Sequence, residues 1–202
     1  MTQTVKFWFD PACPFAWITS RWITEVEKVR DIDVDFHVIS LGVLNEDKQD
    51  QDDPGTKATW QGARVALAVR ERHGADKVAE FYTAVGTRVH NEGYGTDRYD
   101  EALPEALEEI GVSDADEILD ESTKNTYDDG LRESTKEALS LVGDDVGTPI
   151  IVIGDNGFFG PVMTRIPRGE EAGKIWDGFS TLVEYPAFSE LKRARDGELD
   201  FS

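Results

Sequence analysis

An α/β fold interrupted by a large all-helical insertion is predicted by three observations. Apolar runs of strand length lie only near the two ends of the chain, at residues 5–9 and 34–39 and again at 150–153 and 158–162. Between them, residues 55–143 carry their apolar positions at helical spacing. Each strand-rich end also contains a helical stripe, so it reads β-α-β before the insertion and β-β-α after it. The expected organisation is therefore a first half of the α/β unit in residues 1–54, a helical insertion in 55–143 and a second half in 144–202.

The elements follow in order. Val5-Lys6-Phe7-Trp8-Phe9 is the first strand, broken at Asp10-Pro11-Ala12. Cys13-Pro14 then opens a helix whose stripe is Phe15, Ile18, Trp22, Val26 and Val29, with Pro14 where a missing N–H is harmless. Val34 to Ile39 alternates apolar and polar as a second strand, and an acidic stretch ending at the breaker Pro54-Gly55 closes that unit. In the insertion, one helix spans about residues 57–73 and stops at Gly74, and the next places Val78, Phe81, Tyr82, Val85 and Val89 on one face. Further helices are expected around Leu103, Leu107 and Ile110, over 115–119 and over 124–142, with Gly111 and Gly143 as stops. Two strands around a turn at Gly154-Asp155-Asn156-Gly157 make a hairpin, which excludes a phosphate loop there. Two last helices are expected, one with Ala172, Ile175, Trp176, Phe179 and Val183, the other opened by Pro186 and carrying Phe188 and Leu191.

The chain has 202 residues, with 21 Lys and Arg against 41 Asp and Glu, a formal charge of −20. That suits one domain with an insertion, and argues against nucleic acid or an anionic membrane as a partner. The acidic runs at 46–53 and 97–129 read as solvated surface. Met1-Thr2-Gln3-Thr4 leads straight into a strand and no apolar run approaches membrane length, so a cytoplasmic protein, monomeric or homodimeric, is expected. The lone cysteine precludes an internal disulfide, and His37, His73 and His90 lack metal-ligand spacing, so no metal is expected.

That lone cysteine is the candidate catalytic residue. A single cysteine is commonly an inert, buried small hydrophobe. Cys13 instead lies in a strand-to-helix loop between two prolines, at the positive end of a helix, where thiols ionise at a pKa of roughly 3.5 to 7.5. A thiolate nucleophile near neutral pH is the expectation.

The layout, with Thr148-Pro149 opening the third strand, is that of a thioredoxin fold carrying a helical domain, DsbA-like in form. Phe7-Trp8-Phe9-Asp10-Pro11, Cys13-Pro14, Trp17 to Trp22, Glu25 to Arg30, Asp144 to Pro149, Phe158 to Val162 and Ile166 to Lys174 together resemble the mycothiol-dependent nitroreductases of actinobacteria. The resemblance implies mycothiol as thiol co-substrate, mycothiolated or small-molecule disulfides as partners, and a side activity on nitro compounds with a deazaflavin. It also implies a cis Pro149 facing the sulfur, with the backbone of Thr148 pairing with a bound thiol, and a pocket of Pro14, Phe15, Asn45, His90, Thr148 and Pro149 around Cys13. His90 reads equally as a packed core histidine, and Phe15 as a packing residue. Members of that family usually carry Cys-Pro-Trp-Cys or Cys-Pro-Phe-Cys, whereas here the second position is Ala16. A native alanine and a Cys→Ala replacement alike leave no resolving thiol, so the implied activity is thiol-disulfide oxidoreduction by a monothiol mechanism. Two other readings stay open: a mycothiol S-transferase or thiol-assisted isomerase of the kappa-class glutathione transferase type, and a non-catalytic binding protein.

Overall fold

The computed structural model describes residues 2–195 and 197–202. Four strands form one sheet in the order β2-β1-β3-β4, where β1 is Gln3–Phe9, β2 Ile32–Val38, β3 Ile150–Ile153 and β4 Asn156–Phe159. β1 pairs parallel with β2, setting Phe7 opposite Phe36, and antiparallel with β3, setting Phe7 opposite Ile151. The parallel pair needs a crossover, supplied by α1 (Pro14–Glu27). The period of two in β1 serves two faces. Val5, Phe7 and Phe9 face the large core, whereas Trp8 joins Ile39, Ala138, Ile150 and Val152 in a smaller cluster on the other side.

A short α2 (Leu41–Leu44) follows β2, capped by Ser40, and was not expected from the sequence. Then come α3 (Pro54–His73), capped by Asp53, and α4 (Ala75–Gly86), both with one fully buried face. The stripe read as continuous through Val89 leaves the α-helix at Gly86 and runs on as a wide π-turn, Thr87–Asn91. α5 (Tyr99–Ile110) ends at Gly111 in the left-handed region (φ 70°), followed by α6 (Ala115–Ser122) and α7 (Asp128–Val142). α7 starts four residues later than the sequence suggested and packs its Ala138 under Trp8. α8 (Gly169–Val183) lies along α1, where Trp22 Nε1 donates to the Ala172 carbonyl at 3.2 Å and Arg30 bridges Glu170 and Asp177.

The helix expected from Pro186 is not formed. Its two apolar residues do not share a burial site: Phe188 stacks on Phe158 at 5.6 Å, while Leu191 is 80% exposed. The tail instead crosses the face of the molecule as an irregular strap, held by Asp200 N–H donating to Thr164 O and by Asn91 Nδ2 donating to Phe201 O, both at 2.7 Å. No helix among the described residues is long and apolar enough to cross a membrane.

Candidate functional site

Where β1 ends, the chain turns on Asp10. Its carboxylate is completely buried and accepts two backbone N–H bonds, from Ala12 at 2.8 Å and from Leu41, at the start of α2, at 2.7 Å. Its own carbonyl accepts from Cys13 N–H at 3.0 Å, which sets Cys13 as the N-cap of α1. Cys13 is 6% exposed. Its sulfur accepts from Ala16 N–H at 3.4 Å and as a thiol donates to Thr148 O at 3.5 Å. Thr148 is itself fixed by a 3.1 Å bond from Oγ1 to Trp8 O, and its bond to Pro149 is cis. The Gly160–Pro161 bond is also cis, and Pro161 O accepts from Thr19 Oγ1 at 2.7 Å, which fastens the hairpin to α1.

The electrostatics depart from the expectation of a resting thiolate. Burial pushes the Cys13 thiol up to about 11, and the Asp10 charge adds to the rise. The N–H groups of Ala16 and Phe15 and the charge of Arg195 act in the opposite sense but do not offset it. A sulfur facing a carbonyl oxygen in a dry pocket is better kept as a thiol. Asp10 in turn is raised to about 7 by burial, against its two N–H bonds. The hydroxyls of Tyr82 and Tyr99 lie buried without a hydrogen-bond partner among the described residues, and burial raises both well above their ordinary range, with the Cys13 and Asp10 charges adding to Tyr82 and the Asp10 charge to Tyr99. This buried carboxylate is the group that sequence reading passed over; its signal was a carboxylate ending an otherwise apolar strand three residues before the cysteine.

The other expected site residues separate into two groups. Pro14 and Phe15 open α1 beside the sulfur, Thr148 and Pro149 face it, and the Arg195 guanidinium lies 5.5 Å from the Phe15 ring centre. His90 sits in the π-turn, where Nε2 donates to Pro11 O at 3.0 Å and the ring lies between Trp17 at 5.8 Å and Phe201 at 5.7 Å. Burial lowers it to about 4, so it is neutral and supplies no charge to the thiol. It positions the loop. Asn45 caps the end of α2 and gives its amide to Leu41 O at 2.9 Å. Its link to Cys13 runs through α2 and Asp10.

A cavity of about 1630 Å³ lies between the hairpin, α8 and the tail. Thr148, Phe159 and Arg195 line it, although Cys13 itself does not. Thr148, whose carbonyl accepts from the Cys13 thiol, joins the cavity wall to the sulfur. Among the described residues no three His, Cys, Asp or Glu side chains are grouped to hold a metal ion.

Comparisons with known proteins agree with this fold. An uncharacterised protein of Mycobacterium tuberculosis, Rv2286c, is 29% identical over 197 residues, covering 95% of this chain and 82% of its own. A 2-hydroxychromene-2-carboxylate isomerase superposes with a TM-score of 0.60 at 15% identity, over 88% of this chain and 93% of its own. A probable DsbA oxidoreductase from Streptomyces coelicolor, SCO1869, gives 0.58 at 17% identity, over 96% and 97%. The cytosolic disulfide reductase DsbM from Pseudomonas aeruginosa, solved with GSH, gives 0.56 at 16% identity, over 88% and 97%. These likenesses establish the fold as DsbA-like, a thioredoxin fold with a helical insertion. The family described as Rv2466c-like, mycothiol-dependent nitroreductase Rv2466c, matches residues 12–193, a span that holds Cys13, the cis-proline and most of the cavity wall, and the chain belongs to that family.

Proposed function

We propose that the protein is a mycothiol-linked thiol-disulfide oxidoreductase that works through Cys13 by a monothiol mechanism. The observation that carries the reading is the sulfur's position: it caps α1 through Ala16 N–H and faces the Thr148–Pro149 peptide, with alanine where a second thiol would act. Family membership supports mycothiol as the co-substrate. The cavity has room for a sugar-linked cysteine, and binding sites of several hundred Å³ already suffice for ligands of that size.

The cycle balances with no further oxidant. Cys13 loses its proton, and the thiolate attacks the mycothiol-side sulfur of a mycothiol mixed disulfide. The sulfur–sulfur bond breaks and the client leaves as a thiolate that takes up a proton. Cys13 is then disulfide-bonded to mycothiol. A second mycothiol attacks the mycothiol sulfur of that bond, releasing mycothiol disulfide and restoring Cys13. Ala16 cannot intercept the adduct, so release depends on thiol from solution. The Ala16 N–H and the start of α1 stabilise each thiolate as it forms, and Thr148 and Pro149 hold the disulfide in line with the sulfur. A cytoplasmic location belongs to the same reading, since thiol-dependent exchange needs a compartment that keeps thiols reduced.

The test is turnover of a mycothiol mixed disulfide of a small chromogenic thiol in excess mycothiol. Cys13→Ser is expected to lower the rate at least ~10³-fold, the scale on which loss of an essential nucleophile is felt. Retention of turnover by the serine variant overturns the proposal in favour of activation of the small thiol itself, as in an S-transferase or isomerase.

A further inference from the structure

The arginines of this acidic chain divide sharply by location. Every arginine except Arg21, Arg165, Arg193 and Arg195 is ion-paired with Asp or Glu. Arg21 is accounted for differently, hydrogen-bonded to Thr83 and stacked 4.3 Å over Trp17. The remaining three line the large cavity beside the Thr148–Pro149 peptide, which Lys192, Asp145, Asp155, Glu171 and Glu190 also line, and none of the three is within ion-pair distance of a carboxylate among the described residues. Carboxylates outnumber basic groups by 41 to 21, so an arginine without one is the exception, and three around one cavity form a pattern. Asp200 on the tail feels the Arg165 charge but spends its carboxylate on Ser202. Arg195 is held over two aromatic faces, 5.5 Å from Phe15 and 5.9 Å from Phe159, which aims a planar cation at the Cys13 end of the cavity.

From this we propose that the cavity is an anion-recognising subsite, in which Arg165, Arg193 and Arg195 bind a carboxylate on the departing half of the disulfide substrate. The proposal rests on the thiol-disulfide reading above and names its substrate class: disulfides whose client side carries a carboxylate. A guanidinium reads a carboxylate through two parallel N–H bonds, which fixes orientation as well as affinity. The net charge of −20 disfavours an anionic substrate over the surface as a whole, so guanidiniums free to pair with it mark where it can dock. The three arginines therefore select the face on which it lands, and they hold the disulfide where the Cys13 sulfur can reach it.

Two aromatic disulfide reagents separate the possibilities, dithiobis-nitrobenzoate with a carboxylate on each ring and uncharged dithiodipyridine. The wild-type protein is expected to react faster with the carboxylate reagent once each rate is scaled to that of free cysteine. In the Arg165→Gln/Arg193→Gln/Arg195→Gln variant the ratio of the two rates should fall on the order of tenfold or more, the effect of losing a charge-assisted pair. Lysine at the same positions should restore part of it, and added salt should lower the wild-type ratio but not that of the glutamine variant. An unchanged ratio in the glutamine variant overturns the subsite. Failure of wild-type Cys13 to react with either reagent overturns the thiol-disulfide reading instead. The subsite is then decided by quenching of tryptophan fluorescence by nitrobenzoate in Cys13→Ser, where binding abolished by the glutamine changes supports it and binding unaffected by them overturns it.

Discussion

At the scale of single residues, Cys13 and Asp10 share one dry pocket, and their charges oppose each other. With the thiol raised to about 11 and the carboxylate to about 7, a thiolate forms more readily when Asp10 is neutral. Asp10→Asn removes the opposing charge, so the rate of iodoacetamide alkylation of Cys13 should rise at lower pH than in the wild type. An unmoved or upward-shifted pH profile contradicts this electrostatic account. The same substitution has a stability signature. A carboxyl group raised from about 4 in the unfolded chain to about 7 in the fold contributes stability in full below pH ~4 and loses it as pH rises to 7. Asparagine cannot ionise and also loses one accepted N–H bond, so its melting temperature should lie furthest below the wild type at pH ~4 and below, and the gap should narrow as pH rises to 7 and stay narrow above it. Cys13, Thr148 and Pro149 were legible in the sequence, because a cysteine at a strand-to-helix junction and a Thr-Pro at a strand start are local signals. The neutrality of His90 and the raised pKa values of Asp10 and Cys13 were not, since burial by α4, α5 and the tail is a tertiary effect. Arg195 was invisible for the same reason.

At the scale of elements, local periodicity placed the strands, the hairpin, α1, α3 and α8, and failed where packing changed the period. Val89 fits the stripe of α4, yet Gly86 meets the ring of Trp17 and the chain widens into the π-turn that brings His90 and Asn91 to the Cys13 loop and the tail. A Cβ on Gly86 would lie 2.3 Å from Trp17. Gly86→Ala is therefore expected to destabilise by about 1–3 kcal/mol, the cost of overpacking, a fall of several degrees in melting temperature. Gly178, in the exposed face of α8, has nothing within 4 Å of its would-be Cβ. Gly178→Ala should leave stability unchanged or raise it by about 0.5–1 kcal/mol through helix propensity. Equal effects of the two substitutions in thermal unfolding contradict the assigned packing. The missing final helix has its own cause. Pro186 and Phe188 look like a helix start, but the following Leu191-Lys192-Arg193-Ala194-Arg195 buries nothing along a helical face.

At the scale of the whole molecule, the sheet supplies a rigid platform on which β1 runs out into Asp10 and Pro149 leads into β3, so the two halves of the α/β unit meet at one sulfur. The helices between β2 and β3 wall the site through Tyr82, Tyr99 and His90, and the tail covers it with Arg195 and Phe201. Composition foretold the acidic surface but not the cavity where three arginines lack carboxylate partners among the described residues, because pairing is settled only in the folded chain. The proposed function requires that Cys13 alone carry a complete thiol-disulfide cycle with mycothiol. The most direct test is the intact mass of the reduced protein after incubation with mycothiol disulfide, and again after excess mycothiol, with Cys13→Ser as control. One mycothiol adduct is expected on the wild type, none on the serine variant, and a return to the starting mass when mycothiol is added. No adduct, or an adduct that mycothiol does not remove, would contradict the proposed function.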